Sequence, residues 1–535
     1  LLFLALYVWA FLYGLKPIRE YDFWWHLASG RLIAETGGPP FVDPFSLTCR
    51  GGRWIDTYWA FEAALYGLSR LGGFNAVVIA ASALSVIALW FQQRMLRTLG
   101  AGWASRAAVL ALFLLSFDPW GHRWVSQSSL VTLAFCSALW AHLEKCRRDG
   151  DEPSLALWLP LFAVWANLHR GVVVGVAIAA LYALAQTRPG SRSPAPRLAF
   201  PLLCAAATLA NPYGVGLYRM IWTDFTLSPL HIRGWAAPTW SSQKSYWVTG
   251  AALWLTLARE FARGEDVRFH AAAAAFFSAL AVRNVVNAPY LSLFALPLVA
   301  ATASNWFRGR PERRLLAARE RAALGGALAL TLAGAAAAEC RGGVEPSSVP
   351  AGACDFIAGE RLSGPFYNDY RFGGYFLWRF AGEPAVFIDG RYPAVAGYAE
   401  LLAAVEKAKK NPGAWADALE RDGVHAALST YPEGAPAAAM FDVYFPRPRW
   451  ALVYWDDASL LFLERVPENL ATIRRAEYTA ISPDGGPATM AARARAAGPD
   501  ERRRIAAELA RAAREHPDSR RLADLTRAFV DATAF

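Results

Sequence analysis

Residues 74–91 read FNAVVIAASALSVIALWF, an apolar run with no charged residue. About 20 residues of this kind cross a bilayer as a helix, because hydrocarbon offers no hydrogen-bond partner to an open backbone. Working outward, comparable runs cover roughly 1–15, 106–117, 125–143, 154–167, 171–187, 198–211, 246–259, 269–282, 287–304 and 320–338. Several are short for a crossing, so flanking residues complete them or a segment re-enters the face it left. The expectation is a polytopic α-helical membrane protein of about 11 transmembrane helices. The sequence opens on Leu1 within an apolar run, which places its start part-way into the first span.

The chain of 535 residues is 55% apolar, yet its last third is rich in Arg, Glu, Asp and Pro. That contrast implies two solvents: lipid for 1–341, and water for an α/β domain over 342–480 and an Ala/Arg-rich helical tail over 481–535. The net charge of +10 does not point to nucleic acid, because much of the excess sits in short connections between apolar runs. Those connections carry Arg94 and Arg97, then Lys145, Arg147 and Arg148, then the stretches 188–197, 259–268 and 308–321. With the N-terminus inside, all of them fall on one face, as the positive-inside rule requires. The opposite face receives the loop 16–58, residues 118–124, the turn 167–170, the segment 212–245, the turn at Arg283, and everything after about 339. Trp54, Trp59, Trp120, Trp124, Trp235 and Trp240 on that face fit an interfacial belt.

The first outer loop opens with Glu20-Tyr21-Asp22-Phe23-Trp24-Trp25-His26, in a helix-compatible stretch that Gly37-Gly38-Pro39-Pro40 stops. Asp22 and His26 are four apart and share a helix face. Asp22 fits two readings: a carboxylate desolvated by aromatics and acting as general base, or a helix N-cap with His26 a neutral contact. Asp43, Asp56 and Glu62 bring further acid to this region. The group is compatible with a divalent cation, Mg or Mn, but its spacing is no metal signature. Other polar groups at outer mouths are Asp118, His122 and Arg123, then Asn167, His169 and Arg170, then Arg283 and Asn284. Arginines there can grip a lipid phosphate through paired hydrogen bonds, or snorkel as ordinary interfacial residues.

The ordered series Asp22-Phe23-Trp24-Trp25-His26-Leu27, Asp43-Pro44-Phe45-Ser46-Leu47-Thr48, Trp165-Ala166-Asn167-Leu168-His169, Asn211-Pro212-Tyr213-Gly214 and Arg283-Asn284 continues into the soluble part. There it adds Asn368-Asp369-Tyr370-Arg371-Phe372-Gly373-Gly374-Tyr375 and Phe387-Ile388-Asp389-Gly390-Arg391. Taken together, the series resembles a bacterial family of multi-spanning proteins in the GT-C glycosyltransferase superfamily, which includes protein mannosyltransferases and oligosaccharyltransferases. The resemblance implies a bacterial inner-membrane enzyme with a periplasmic or extracellular C-terminal domain. It would use a polyprenyl-phosphate sugar as donor at the outer face, with membrane lipid around it. An acidic residue at the start of the first outer loop serves as base or orients the acceptor, which falls on Asp22; His26 is the second catalytic candidate.

The expected substrate or lipid-phosphate contacts are Asp43, Asp56, His122, Arg123, His169, Arg170, Arg283, Asp389 and Arg391. The chain departs from the family at Thr57-Tyr58-Trp59-Ala60, where His-Glu-Trp-Leu is common, and at His169-Arg170, where Gly usually follows His.

In the soluble part, 384–388, 424–429, 450–454 and 460–464 read as strands, the last two as a hairpin, and 399–409 as a helix. Asp389-Gly390-Arg391 reads either as a substrate-contacting loop or as a tight turn closed by its own Asp–Arg pair. Residues 488–497 and 501–515 read as a helical hairpin. Cys340 and Cys354 could bridge in an oxidising compartment. A transporter of lipid-linked sugars would place its charges at the bilayer midplane and show repeated halves. A catalytically inactive scaffold would keep the packing residues and tolerate loss of Asp22.

Overall fold

The computed structural model describes residues 2–103, 105–107, 110, 128–186, 195–226, 237–240, 243–307, 325, 343–392, 394–431 and 443–534. These fold as two compact units, one of Leu1–Glu20 with Thr57–Val344, the other of Tyr21–Asp56 with Glu345–Phe535. The first outer loop therefore departs from the expected division at 341: most of it folds with the C-terminal domain.

The first unit is helical. It contains α1 (Leu2–Gly14) and, beyond α2 (Asp22–Thr36) of the second unit, α3 (Trp59–Thr98), α4 (Ser129–Asp149), α5 (Leu155–Leu168) and α6 (Val172–Gln186). Next come α7 (Ala195–Ala207), α8 (Gly216–Thr226), α9 (Lys244–Ala262), α10 (Arg268–Arg283) and α11 (Ala288–Phe307). Each apolar run of the sequence is helical here, except 106–117, which is mostly outside the described residues, and 320–338, of which only residue 325 is described. Among the described residues two helices are long and apolar enough to cross a membrane on those grounds alone, Trp59–Thr98 and Val285–Asn305. α3 starts well before the run at 74 and kinks at Gly72–Gly73, where Gly73 takes φ 63.

Helices in lipid pack through a shared interior and turn other apolar residues outward. This unit does both. Trp140, Trp158, Phe162, Trp165 and Phe294 are buried in one core, while Leu71, Leu202, Trp222, Val248 and Leu255 are exposed. Among the described residues of the second unit, the exposed large apolar ones are Phe41, Val42, Leu470 and Val530. Outward-facing apolar surface is thus concentrated in the unit that the sequence assigned to lipid.

The second unit is built on a four-stranded sheet of order β1-β2-β4-β3, from β1 (Phe366–Asn368), β2 (Ala426–Thr430), β3 (Trp450–Trp455) and β4 (Ser459–Glu464). β1 and β2 are parallel; β2–β4 and β4–β3 are antiparallel. Successive residues of a strand point to opposite faces, and here both faces are covered. Leu460 and Phe462 join one core with Trp415 and Trp450, while Leu461 and Leu463 join another with Phe366 and Phe376. Helices α12 (Ala351–Gly359), α13 (Tyr370–Phe380), α14 (Tyr398–Ala408), α15 (Pro412–Arg421) and α16 (Leu470–Ala476) cover the sheet, and α2 packs against α13. The segment 384–388 is not a sheet strand as expected. Val386 bridges to Ser46 instead, and the Asn368 side chain takes the backbone groups of Phe387 and Ile388 at 2.8 and 2.7 Å.

The tail is not a separate domain. α17 (Gly486–Ala496), α18 (Pro499–Glu515) and α19 (Arg520–Thr533) contribute Met490, Ile505, Leu509, Leu522 and Leu525 to the sheet's core. Glu508 accepts the backbone N–H groups of Thr479, Ala480 and Ile481, and Arg447 donates to the carbonyls of Tyr478, Thr479 and Ile481. α19 falls in the expected helical tail but beyond the helical hairpin read at 488–515. Ser519 caps it, and Asp457 holds Ser519 Oγ at 2.6 Å and the N–H groups of Arg520 and Arg521 at 2.9 and 3.0 Å. Cys354 is a buried free thiol, and its expected partner Cys340 lies outside the described residues.

Candidate functional site

Within the second unit, α2 runs from Asp22 to Thr36 and ends where Gly37 turns left-handed, φ 75, as the Gly-Gly-Pro-Pro run requires. Tyr21 is its N-cap and makes no side-chain cap hydrogen bond; Asp22 is the first helical residue. The capping reading of Asp22 gives way to another contact. Its Oδ1 accepts the indole N–H of Trp25 at 3.0 Å, and the residue is half-buried. His26 is buried, its ring centroid 3.6 Å from that of Trp25.

Glycines let other elements close on this helix end. A Cβ on Gly390 would collide with Asp22 Oδ1 and Trp25 Nε1, and one on Gly374 would lie 2.9 Å from the Trp25 backbone N and 3.0 Å from the Tyr21 carbonyl. One on Gly373 would strike the Ile388 carbonyl. The sequence patterns Gly373-Gly374 and Asp389-Gly390-Arg391 are thus the surfaces against which α2 and its carboxylate are set. Trp24 adds an edge-on contact with Tyr375 at 4.8 Å, and Tyr21 one with Tyr370 at 6.1 Å.

Asp43, Asp389 and Arg391 were expected to touch substrate; the structure buries them completely and pairs them with one another. Arg391 reaches Asp43 Oδ1 at 2.6 Å and Asp389 Oδ2 at 2.7 Å, with all three side chains at 0% exposure. Its Nε donates to Asp389, and Nη2 also donates to Tyr398 at 3.0 Å. Ser46 Oγ donates to Asp43 and lies 2.7 Å from the Tyr398 hydroxyl, while the Phe45 N–H donates to Asp43 Oδ1 at 3.0 Å. Burial opposes the Arg391 charge, but the carboxylates of Asp389 and Asp43 outweigh it and hold the guanidinium firmly protonated. The turn closed by its own Asp–Arg pair is therefore what forms, enlarged by Asp43 into a clasp between the first outer loop and the C-terminal domain. Trp54, expected at the membrane interface, is fully buried with its ring 4.8 Å from the Arg391 guanidinium. Asp56 is also buried.

The first unit holds the remaining polar motifs. Asn167 accepts the Trp59 indole N–H at 2.8 Å and donates to the carbonyls of Ala163 and Ala210, both at 2.8 Å. Asn211 closes its own turn by accepting from Tyr213 N and donating to Thr208 O. These asparagines tie the ends of α3, α5 and α7. Arg170 pairs with Asp224 of α8 at 2.9 Å, a partner the sequence reading missed, since no spacing rule joins a turn to a helix so distant. Arg283 lies 4.0 Å over the Phe225 ring and donates to the Phe225 carbonyl. His169 is buried beside Tyr58. His122 and Arg123 lie outside the described residues. Among the described residues no three His, Cys, Asp or Glu side chains form a group able to hold a metal ion. Of the first-loop acids, Asp43 is paired with Arg391.

No protein-family model and no curated protein sequence matches the chain. Among solved structures, the arabinofuranosyltransferase AftD from mycobacteria matches 87% of this chain with a TM-score of 0.52 and 16% identity. The chain spans 40% of AftD's length. The Archaeoglobus fulgidus oligosaccharyltransferase in its apo form matches 80% of this chain and 69% of its own length, with a TM-score of 0.41 and 13% identity. The likeness to AftD is one of fold alone.

Proposed function

We propose that this protein is a membrane glycosyltransferase that moves a sugar from a polyprenyl-phosphate donor to an acceptor at the extracytoplasmic face, with Asp22 as the general base or acceptor-orienting group. The observation that carries the reading is the setting of Asp22. It is an acid at the first position of α2, half-buried, hydrogen-bonded by Trp25 and backed by a glycine whose missing side chain makes room for it. Structural acids nearby, Asp43 and Asp389, are sealed and paired, whereas Asp22 retains contact with solvent. The GT-C-like fold supports the class of reaction.

Transfer from a lipid phosphate needs a base for the acceptor hydroxyl and positive charge for the departing phosphate. Asp22, at the start of α2, is the group that takes the acceptor proton. Attack by the acceptor oxygen on the anomeric carbon breaks the bond to phosphate, and the acceptor proton passes to Asp22. Direct displacement inverts the anomeric centre.

The test is transfer by the purified full chain in proteoliposomes, from a panel of radiolabelled polyprenyl-phosphate sugars to water-soluble and lipid acceptors. Labelled product together with free polyprenyl phosphate is expected. Donor movement across the bilayer without bond cleavage would replace the proposal with the transporter reading, and neither activity across the panel would leave the scaffold.

A further inference from the structure

The turn between α5 and α6 contains a hydrogen-bond relay that the reading above does not use. Trp165 donates its indole N–H to Thr132 Oγ1 at 2.8 Å, and Thr132 Oγ1 lies 2.7 Å from His169 Nδ1. The Gly171 backbone N–H also donates to Nδ1, at 2.9 Å. A nitrogen that accepts from a backbone N–H cannot carry a proton itself, so the imidazole proton sits on Nε2. The ring is 9% exposed, and burial, with the Arg170 charge second, holds its pKa down at about 3. His169 is thus a neutral donor throughout the physiological range. Among the described residues none accepts from Nε2.

Two groups flank the Tyr58 ring. The His169 ring centroid is 5.4 Å from it, and the Arg170 guanidinium, anchored by Asp224, is 5.8 Å from it. An N–H that keeps no protein acceptor among the described residues is available to an incoming oxygen, and the nearby Arg170 guanidinium favours an anionic one. We infer that His169 Nε2–H and Arg170 bind an oxygen of a phosphate ester, with Trp165 and Thr132 as positioning residues that fix the ring's tautomer and angle. This rests on the phosphate-linked donor proposed above and names how its headgroup is held in the first unit. Because His169 stays neutral, it contributes a directed hydrogen bond rather than charge; Arg170 supplies the charge.

Two substitutions separate the ligand role from a structural one. His169→Asn keeps an oxygen where Nδ1 accepts from Gly171 but offers no donor at the Nε2 position. His169→Gln places an amide N–H near Nε2 and gives up the acceptor. Binding of farnesyl phosphate and of inorganic phosphate to the full chain in detergent is measured by calorimetry. The expected result is binding of farnesyl phosphate weakened on the order of tenfold or more in His169→Asn and only a few-fold in His169→Gln. The reverse order would show that the ring serves only Gly171 and Thr132, and equal binding by both variants and the wild type would remove His169 from the site; either overturns the inference. If the histidine variants do not fold, Thr132→Val keeps Nε2 and frees the ring: weaker binding is expected, and unchanged binding overturns the positioning role. Competition by inorganic phosphate at similar affinity assigns the site to the headgroup alone, and its absence assigns it to a lipid phosphate. Binding without sugar transfer would sink the proposed function and leave this site standing. Transfer unaffected by His169→Asn would sink this inference alone.

Discussion

Replacing Arg391 with Met should detach the first outer loop from the α/β unit. Arg391 is fully buried and joins Asp43, in the loop, to Asp389 and Tyr398, with contacts of 2.6, 2.7 and 3.0 Å. Methionine fills much of the same volume but leaves two carboxylates in a dry interior without their counter-charge. Breaking a buried pair by removing one partner costs about 3–5 kcal/mol. At about 1.4 kcal/mol per tenfold, that raises the open population of the loop by roughly 10²- to 4 × 10³-fold. Hydrogen exchange of residues 21–56, followed by mass spectrometry on the full chain in detergent, reads this directly. Exchange in 21–56 should accelerate by about that factor, and exchange in the first unit's helices should not. Asp43→Asn should be milder, because the amide still accepts from Phe45 N–H and Arg391 keeps Asp389. Wild-type protection of 21–56 in Arg391→Met would refute the clasp.

Gly390→Ala places a methyl group where Asp22 and Trp25 meet, an overpacking of about 1–3 kcal/mol. Transfer should fall at least tenfold while the chain stays folded, and a wild-type kcat would show that the Asp22–Trp25 pair does not depend on that space. Glu508→Gln leaves one oxygen to serve the N–H groups of residues 479–481, so exchange at those amides should rise by a factor corresponding to about 1–3 kcal/mol. Asp457 gives a pH dependence: burial would raise its pKa, but the Ser519 hydroxyl and the N–H groups of Arg521 and Arg520 hold it below the usual carboxylate range. Its stabilisation of the α19 start is complete above the ordinary carboxylate pKa of about 4 and is lost as pH falls through the depressed value. Proteolysis of residues 519–534 should therefore be unchanged from pH 7 to 5 and faster at pH 3; loosening toward alkaline pH would contradict the assignment.

The helices were legible because lipid and packing leave a strong local mark: apolar runs and the Gly37 stop appear in the sequence much as they fold. The partnership of Asp43 with Arg391 was not legible. They stand 348 residues apart, and no local pattern joins them. The same motifs that suggested substrate contacts, Asp43-Pro44-Phe45-Ser46 and Asp389-Gly390-Arg391, are instead the two halves of one buried joint. Trp54 misled for a related reason, since an aromatic near a membrane face and an aromatic over a buried guanidinium look alike in sequence. α19 was not delimited within the helical tail because its apolar stripe, Leu522 and Leu525 with Ala528 and Phe529 beside them, is short and set among charged residues. At the site, the helical placement of Asp22 was readable from its flanks, whereas Trp25 as its hydrogen-bond donor and Gly390 as its backing required the fold.

The most direct test of the account is the turnover of Asp22→Asn in proteoliposomes at saturating polyprenyl-phosphate sugar, with donor binding measured in parallel. Asparagine keeps the shape and the oxygen that accepts from Trp25 but cannot take a proton. Loss of a positioned general base costs about 10²- to 10⁴-fold. The account predicts a kcat reduced by at least 10²-fold with donor affinity unchanged; a kcat within a few-fold of wild type would contradict it.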